Sequence, residues 1–237
     1  MEFFKKHWKI ISCGIFIGIV ATLLQKFGNP ANMGVCVACF ERDIAGALGL
    51  HRAALVQYIR PEILAFVIGS FVSSLTFKEF KPRGGSLPLV RFFLGFFAMM
   101  GALVFLGCPW RAMLRLAGGD WNAIAALAGL VVGVFIGVQF INGGYNLGRN
   151  YPAYKFTGLI MPLMMLGLLL LLIIRPLVPG GAPFFSAKGP GSQHAPILVS
   201  FGIAFFIGIF AQRTRFCTMG AVRDIVLIRD FHLASGV

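Results

Sequence analysis

Phe156–Ile174 reads FTGLIMPLMMLGLLLLLII and carries no charged side chain. It closes on an unbroken Leu/Ile tract, Leu168–Ile174, that follows Gly167. A bilayer core about 30 Å thick takes about 20 residues of helix to cross. This stretch meets that length and has no polar face to offer water. Two more stretches read alike. Phe92–Cys108 has no strongly polar side chain, and Trp121–Ile141 has only Asn122 and Gln139. Several such runs in one chain exclude a soluble globular domain.

Composition agrees. Of 237 residues, 58% are hydrophobic and only 12% are charged, and the mean hydropathy is +0.84. A soluble domain has about 25% charged residues. A chain this poor in charge cannot coat a water-facing surface, but lipid does not ask it to. The net charge of +13 raises nucleic acid as a partner. The placement of the charges excludes it. They sit in small groups between apolar runs: Lys5, Lys6 and Lys9; Lys78, Lys81, Arg83 and Arg91; Arg213 and Arg215. Cytoplasmic loops and headgroup contacts distribute charge this way. The first apolar run is long and lacks a small-residue cleavage site, so it is read as a retained helix.

Six spanning helices are expected, at Trp8–Phe27, Pro61–Phe77, Leu89–Leu106, Trp121–Ile141, Phe156–Leu177 and Pro196–Gln212. The second is short. Three linkers, Gly28–Arg60, Gly107–Asp120 and Arg213–Val237, are expected to hold short helices that dip into the membrane without crossing it. Irregular backbone at that depth must be covered by protein or line a wet cavity. Val178–Ala195 and Lys78–Pro88 read as plain surface linkers. Basic residues at the N-terminus, in the Lys78–Arg91 loop and in the Arg149–Lys155 loop place the N-terminus in the cytoplasm. Lys26, Arg42, Arg52 and Arg60 on the other side narrow that bias.

The chain also matches itself. Phe16-Ile17-Gly18-Ile19 recurs as Phe206-Ile207-Gly208-Ile209. Cys36 is followed after five residues by Arg42-Asp43-Ile44, and Cys217 after five by Arg223-Asp224-Ile225. The first copy carries nine extra residues between its two blocks. An odd number of spans between the copies turns the second over, giving an inverted-topology repeat, as in many secondary transporters. The expected fold is therefore all-α, a polytopic membrane bundle. Residues 1–195 form the first repeat with its linker, and 196–237 begin a second. A full second copy would run far beyond Val237, so truncation is expected.

The candidate chemistry sits in the irregular segments. The five cysteines are Cys13, Cys36, Cys39, Cys108 and Cys217, an odd number that describes no disulfide scaffold. Cys36 and Cys217 hold repeated positions. Cys108 lies in Gly107-Cys108-Pro109-Trp110-Arg111. Proline breaks the helix there, and glycine lets another backbone or a ligand come close. The same element also reads as an interfacial stop. Arg42-Asp43 and Arg223-Asp224 read equally as functional charges or as structural ion pairs. Arg111 and Arg115 share a helical face. Cys36 and Cys39 form a single C-x-x-C with no second pair, which is weak for zinc. No metal site or cofactor is assigned.

Gly34-Val-Cys36-Val-Ala-Cys39-Phe-Glu-Arg42-Asp43 and Gln212-Arg-Thr-Arg-Phe-Cys217-Thr-Met-Gly220-Ala-Val-Arg223-Asp224 resemble the marker segments of the YeeE/YedE family of bacterial inner-membrane proteins. The Cys36/Cys39 pair and Gly-Cys-Pro-Trp-Arg resemble its selenium-associated YedE branch most. The resemblance implies uptake of a small sulfur- or selenium-containing anion, thiosulfate-like, and no enzymatic activity. It implies a substrate path along Cys36, Cys108 and Cys217, with Cys39 beside them. Arg42, Asp43, Arg111, Arg223, Asp224, Gly107 and Pro109 are the expected supporting residues. The implied partners are the lipid bilayer, the anion and a soluble sulfur or selenium carrier protein. The second Gly-Cys-Pro element of a full repeat is absent from the sequence. Two rival readings stand beside this one: a membrane thiol redox or sulfur-transfer enzyme using Cys36 and Cys39, and an accessory membrane subunit in selenium metabolism.

Overall fold

The computed structural model describes residues 2–174 and 181–237. Its helices are α1 (Glu2–Lys26), α2 (Val37–Ala47), α3 (Pro61–Thr76), α4 (Pro88–Val104), α5 (Pro109–Ala117), α6 (Asn122–Asn142), α7 (Lys155–Ile174), α8 (Ile197–Thr214) and α9 (Thr218–Ile228). A short 3₁₀ turn, Ala234–Gly236, follows. Two short strands, β1 (Arg83–Gly85) and β2 (Asn150–Pro152), pair antiparallel.

Five helical runs are long and apolar enough to cross a membrane: α1, α4 with α5, α6, α7, and α8 with α9. The expected spans fall on them. The second expected span, Pro61–Phe77, is α3, which has 16 residues and is shorter than the other runs. The expected end of the fifth span, through Leu177, and the start of the next linker lie outside the described residues. The protein is thus a multi-pass helical membrane protein. Its outward faces suit hydrocarbon. α4 buries none of its residues, and Phe92, Phe93, Phe96 and Phe97 all point outward.

Each of the three irregular linkers does hold a short helix. α2, α5 and α9 have 11, 9 and 11 residues. At 1.5 Å per residue the longest reaches about 16 Å, roughly half a bilayer core.

The packed centre is α3 against α8. Their contacts advance together along the chain: Glu62 with Ser200, Ser70 with Gly208 and, just past α3, Glu79 with Arg213. The two helices therefore run parallel. Glycine permits the approach. A methyl at Gly69 would overlap the Phe205 carbonyl, and one at Gly208 the Phe66 carbonyl. Lipid supplies no hydrophobic drive between helices, so small residues that let backbones touch are the usual cement. α1 runs the opposite way to α8. Asn29, just past the end of α1, holds Ala195 just before α8, while His7 near the start of α1 meets His232 beyond it.

The two linkers expected to be plain are structured. The described part of the 178–195 linker folds back over the chain between α2 and α3. Phe184, Ser186 and Gly191 donate backbone hydrogen bonds to Ala47, Gln57 and Leu55. His194 stacks on Tyr58 at 4.5 Å between ring centroids. The 78–88 linker supplies β1. Both pairings join segments far apart in sequence, which local composition does not reveal.

Candidate functional site

The chain leaves α1 at Lys26 and turns back along it. Gly34 lies against the backbone of Ala21, and Val35 packs with Ile17, Val20 and Ala21. Cys36 then sits in extended conformation, φ −132° and ψ 100°, as the cap residue before α2. Its side chain is fully buried.

Cys108 reaches the same place from α4. The helix closes with Gly107 N–H donating to Ala102 O at 2.8 Å. Leu106 takes φ +64° and Gly107 φ +140°. Only glycine adopts the second value without strain. Cys108 follows as the cap of α5, with φ −85° and ψ 168°, and Pro109 occupies the first helical position. Proline fits there, since its missing N–H is one the helix cannot satisfy anyway. Neither Cys36 nor Cys108 caps its helix through its side chain. Their sulfurs face each other instead, 3.9 Å apart.

Arg111, in the first turn of α5, completes the cluster. It donates to the Cys39 sulfur at 3.1 Å and to the Leu106 carbonyl at 2.6 Å, and its Nε has no partner. The cluster thus places three thiols, one guanidinium and two helix N-termini together. Helix N-termini and guanidinium groups favour anions, and sulfur is a soft, weak hydrogen-bond partner.

Cys217 holds the matching sequence position ahead of α9, in different surroundings. It is the cap of α9, extended at φ −154° and ψ 115°, and its sulfur accepts from Gly220 N–H at 3.2 Å. It is exposed rather than buried. It shares the wall of a cavity of about 920 Å³ with Gly107, Pro109 and Arg223. That cavity is mostly apolar and lies between α4, α6 and α9. Trp110 bridges the two sites, its ring 5.8 Å from that of Phe216, the neighbour of Cys217.

The Arg-Asp pairs form in both copies with the same contact, Nη2 to Oδ1 at 2.7 Å. Their surroundings differ. Asp43 is fully buried and also takes Arg60, itself fully buried, at 2.8 Å. Arg60 further donates to the carbonyls of Gln193 and Pro190 and lies over the rings of Phe40 and Tyr58. Asp224 has Arg223, half-exposed at the surface. Arg115 does not join Arg111 in the cluster. It binds Asp120 at 2.6 Å, and that hydrogen bond holds the Asp120 carboxyl below the usual carboxylate range.

Sequence reading did not single out Arg60, Asn29 or Glu62. The one local signal was Arg60-Pro61-Glu62, proline at the first helical position with an acid beside it. Among the described residues no group of three His, Cys, Asp or Glu side chains could hold a metal ion.

Gly107 gives a direct check on this geometry. A Cβ there would lie 3.2 Å from the Cys36 sulfur, and the φ value strains any other residue by about 1–3 kcal/mol. Gly107→Ala is expected to push Cys36 and Cys108 apart. In a background keeping only those two cysteines, mild oxidation should cross-link the native pair readily and the variant several-fold more slowly. Equal rates would place the two sulfurs elsewhere.

Comparison with protein families, curated proteins and solved structures gives no match to this chain. What fold and composition define is the class, a multi-pass helical membrane protein.

Proposed function

We propose that this chain is a membrane transporter for a small sulfur- or selenium-containing anion, thiosulfate-like in chemistry. The cargo passes between thiols at Cys36, Cys108 and Cys217. One observation carries the reading. Each of these thiols stands at the start of a short helix, and two of them meet at 3.9 Å while the third borders the cavity lined by Gly107 and Pro109.

The physics suits conduction. A site must be favourable enough to enter and weak enough to leave. A row of thiols under helix N-termini offers several weak contacts to a polarizable anion and no deep trap. Arg111 and Arg223 supply positive charge near the two ends of the route. The cargo moves by exchange of hydrogen bonds, without a lasting covalent bond.

Two further features belong to the same proposal. α1 and α8 carry the matching Phe-Ile-Gly-Ile blocks and run antiparallel, which supports an inverted repeat over 1–195 and 196–237. Lys5, Lys6, Lys9, the 78–91 loop, the 149–155 loop and the Arg213/Arg215 end of α8 all fall on one side by chain threading. We assign that side to the cytoplasm of a bacterial inner membrane, by the excess of Lys and Arg. Cys36 then approaches the route from outside and Cys217 from inside.

The test is uptake of labelled thiosulfate and of a labelled selenium oxyanion into proteoliposomes holding only this protein. A thiol is a weak donor, so losing one such contact costs about 0.5–1.5 kcal/mol, and each single Cys→Ala change should lower flux about two- to tenfold. Unchanged uptake in Cys36→Ala, Cys108→Ala and Cys217→Ala would remove the mechanism. No flux from the native protein alone would favour the accessory-subunit reading. A Cys36–Cys39 disulfide that changes with turnover would favour the redox enzyme.

A further inference from the structure

Glu62 is the second residue of α3 and is only 2% exposed. Its Oε1 accepts hydrogen bonds from Asn29 Nδ2 at 2.8 Å and from Ser200 Oγ at 2.9 Å. Its Oε2 has no partner. Among the described residues no basic side chain pairs with it. The other deeply buried carboxylate, Asp43, has both Arg42 and Arg60. Arg60 stands two residues before Glu62 but is committed to Asp43 and to two carbonyls. Of the elements around Glu62, α8 brings Ser200 and has its only charge, Arg213, at its far end. α7, which also packs on α3, brings no titratable side chain after Lys155. The end of α1 brings Lys26, which is exposed. The 181–195 segment brings His194, stacked on Tyr58. The N-terminal N–H groups of α3 offset part of the carboxylate's charge. A buried carboxylate with one bare oxygen and no counter-charge is a costly arrangement that usually serves function.

Asn29 connects this carboxylate to the thiol site. Its Nδ2 also donates to Gly34 O at 3.2 Å, and its Oδ1 accepts from Ala195 N–H at 2.9 Å. Gly34 stands two residues before Cys36 and is pressed on the backbone of Ala21, so the segment has little slack. One amide therefore joins Glu62, the Cys36 segment and the start of α8.

We propose that Glu62 is the site where one positive charge, a proton or a small monovalent cation, binds and travels with the anion. The inference rests on the transport reading. An anion entering a negatively charged interior works against the membrane potential, and one co-bound positive charge offsets half of that work for a dianion such as thiosulfate. Cation binding at Oε2 weakens the pull of Oε1 on Asn29 and Ser200. That loosens the Cys36 segment and the first turn of α8 together.

The test uses the full chain in proteoliposomes with labelled thiosulfate. An inward proton gradient without sodium is compared with an inward sodium gradient at equal pH. With one cation per anion and the membrane potential clamped at zero, a tenfold gradient should raise accumulation about tenfold, and the gradient that does so identifies the cation. Glu62→Gln keeps an acceptor for Asn29 and Ser200 but loses the charge. It should retain thiosulfate counterflow and lose the gradient response. Ser200→Ala keeps the charge and removes a competing donor, so it should lower the cation concentration for half-maximal uptake. A native protein that exchanges thiosulfate yet ignores both gradients overturns the proposal and leaves the transport reading standing. So does an unaltered gradient response in Glu62→Gln. If Glu62→Gln fails to fold, an unmoved ion response in Ser200→Ala overturns it. Absence of counterflow in the native protein sinks both readings.

Discussion

Asp43→Asn is expected to destabilise the protein by about 3–5 kcal/mol, and Asp224→Asn by about 1 kcal/mol or less. The same dipeptide in the same repeated position should thus give two different answers. The cause is Arg60. With Asp43 neutral, a fully buried guanidinium keeps its carbonyl acceptors but loses its counter-ion. Removing one partner of a buried pair costs more than the pair itself contributes, because a charge is left without solvent. Asp224 loses only Arg223, whose side chain is 52% exposed and borders the cavity, so no charge is left sealed inside packed protein. Reversible unfolding in mixed micelles would measure both. Replacing the whole group should recover much of the loss, so Asp43→Asn with Arg60→Met is expected to be more stable than Asp43→Asn alone. Equal losses in the two single variants would mean that the Arg60 site is wet, and the account of the buried group would be wrong.

That contrast also marks what the sequence could tell. The membrane class was legible because apolar length is a local property. Phe156–Ile174 needs no neighbour to declare itself. The short helices were legible for a related reason. Gly107, Pro109 and the polar Cys36 and Cys217 segments break an otherwise continuous apolar chain, and breaks at membrane depth need cover. The Cys-x5-Arg-Asp match pointed to both ion pairs because each lies between adjacent residues. What stayed hidden depends on distant partners. Arg60 reads as one more loop charge until Asp43, Pro190 and Gln193 close around it. Glu62 reads as an ordinary first-turn acid until Ser200 arrives from far along the chain.

The thiol site was half legible. Cys36, Cys108 and Cys217 were expected to share a route, and their common position at helix starts is what composition could not display. Cys39 looked like a partner for Cys36 in a C-x-x-C pair. In the structure it hydrogen-bonds with Cys36 and also accepts from Arg111 Nη1 at 3.1 Å. Arg111 and Arg115 lie on one helical face, yet only Arg111 reaches the thiols. Asp120, five residues on, takes the other.

Gly208→Leu and Gly69→Leu are expected to cost about 3 kcal/mol or more each, and Gly18→Leu less than about 0.5 kcal/mol. Gly18 and Gly208 are the same residue of the same repeated block, so the block alone forecasts equal effects. Packing separates them. At Gly208 the backbone of α3 presses against the missing side chain, and Ser70 donates to the Gly208 carbonyl at 3.0 Å. At Gly18 nothing lies within 4 Å of where a Cβ would stand. A leucine at 208 must force parallel helices apart along their whole register, because the obstacle is main chain and cannot swing away. The shift would carry Ser200 away from Glu62 at one end and Arg213 away from Glu79 at the other. Gly208→Leu should therefore abolish any ion-dependent step at Glu62 even in the fraction that folds. Gly18→Leu should leave it intact. Equal stability of the two leucine variants would show that α3 and α8 do not meet through glycine, and the placement of Glu62 between them would fall with that contact.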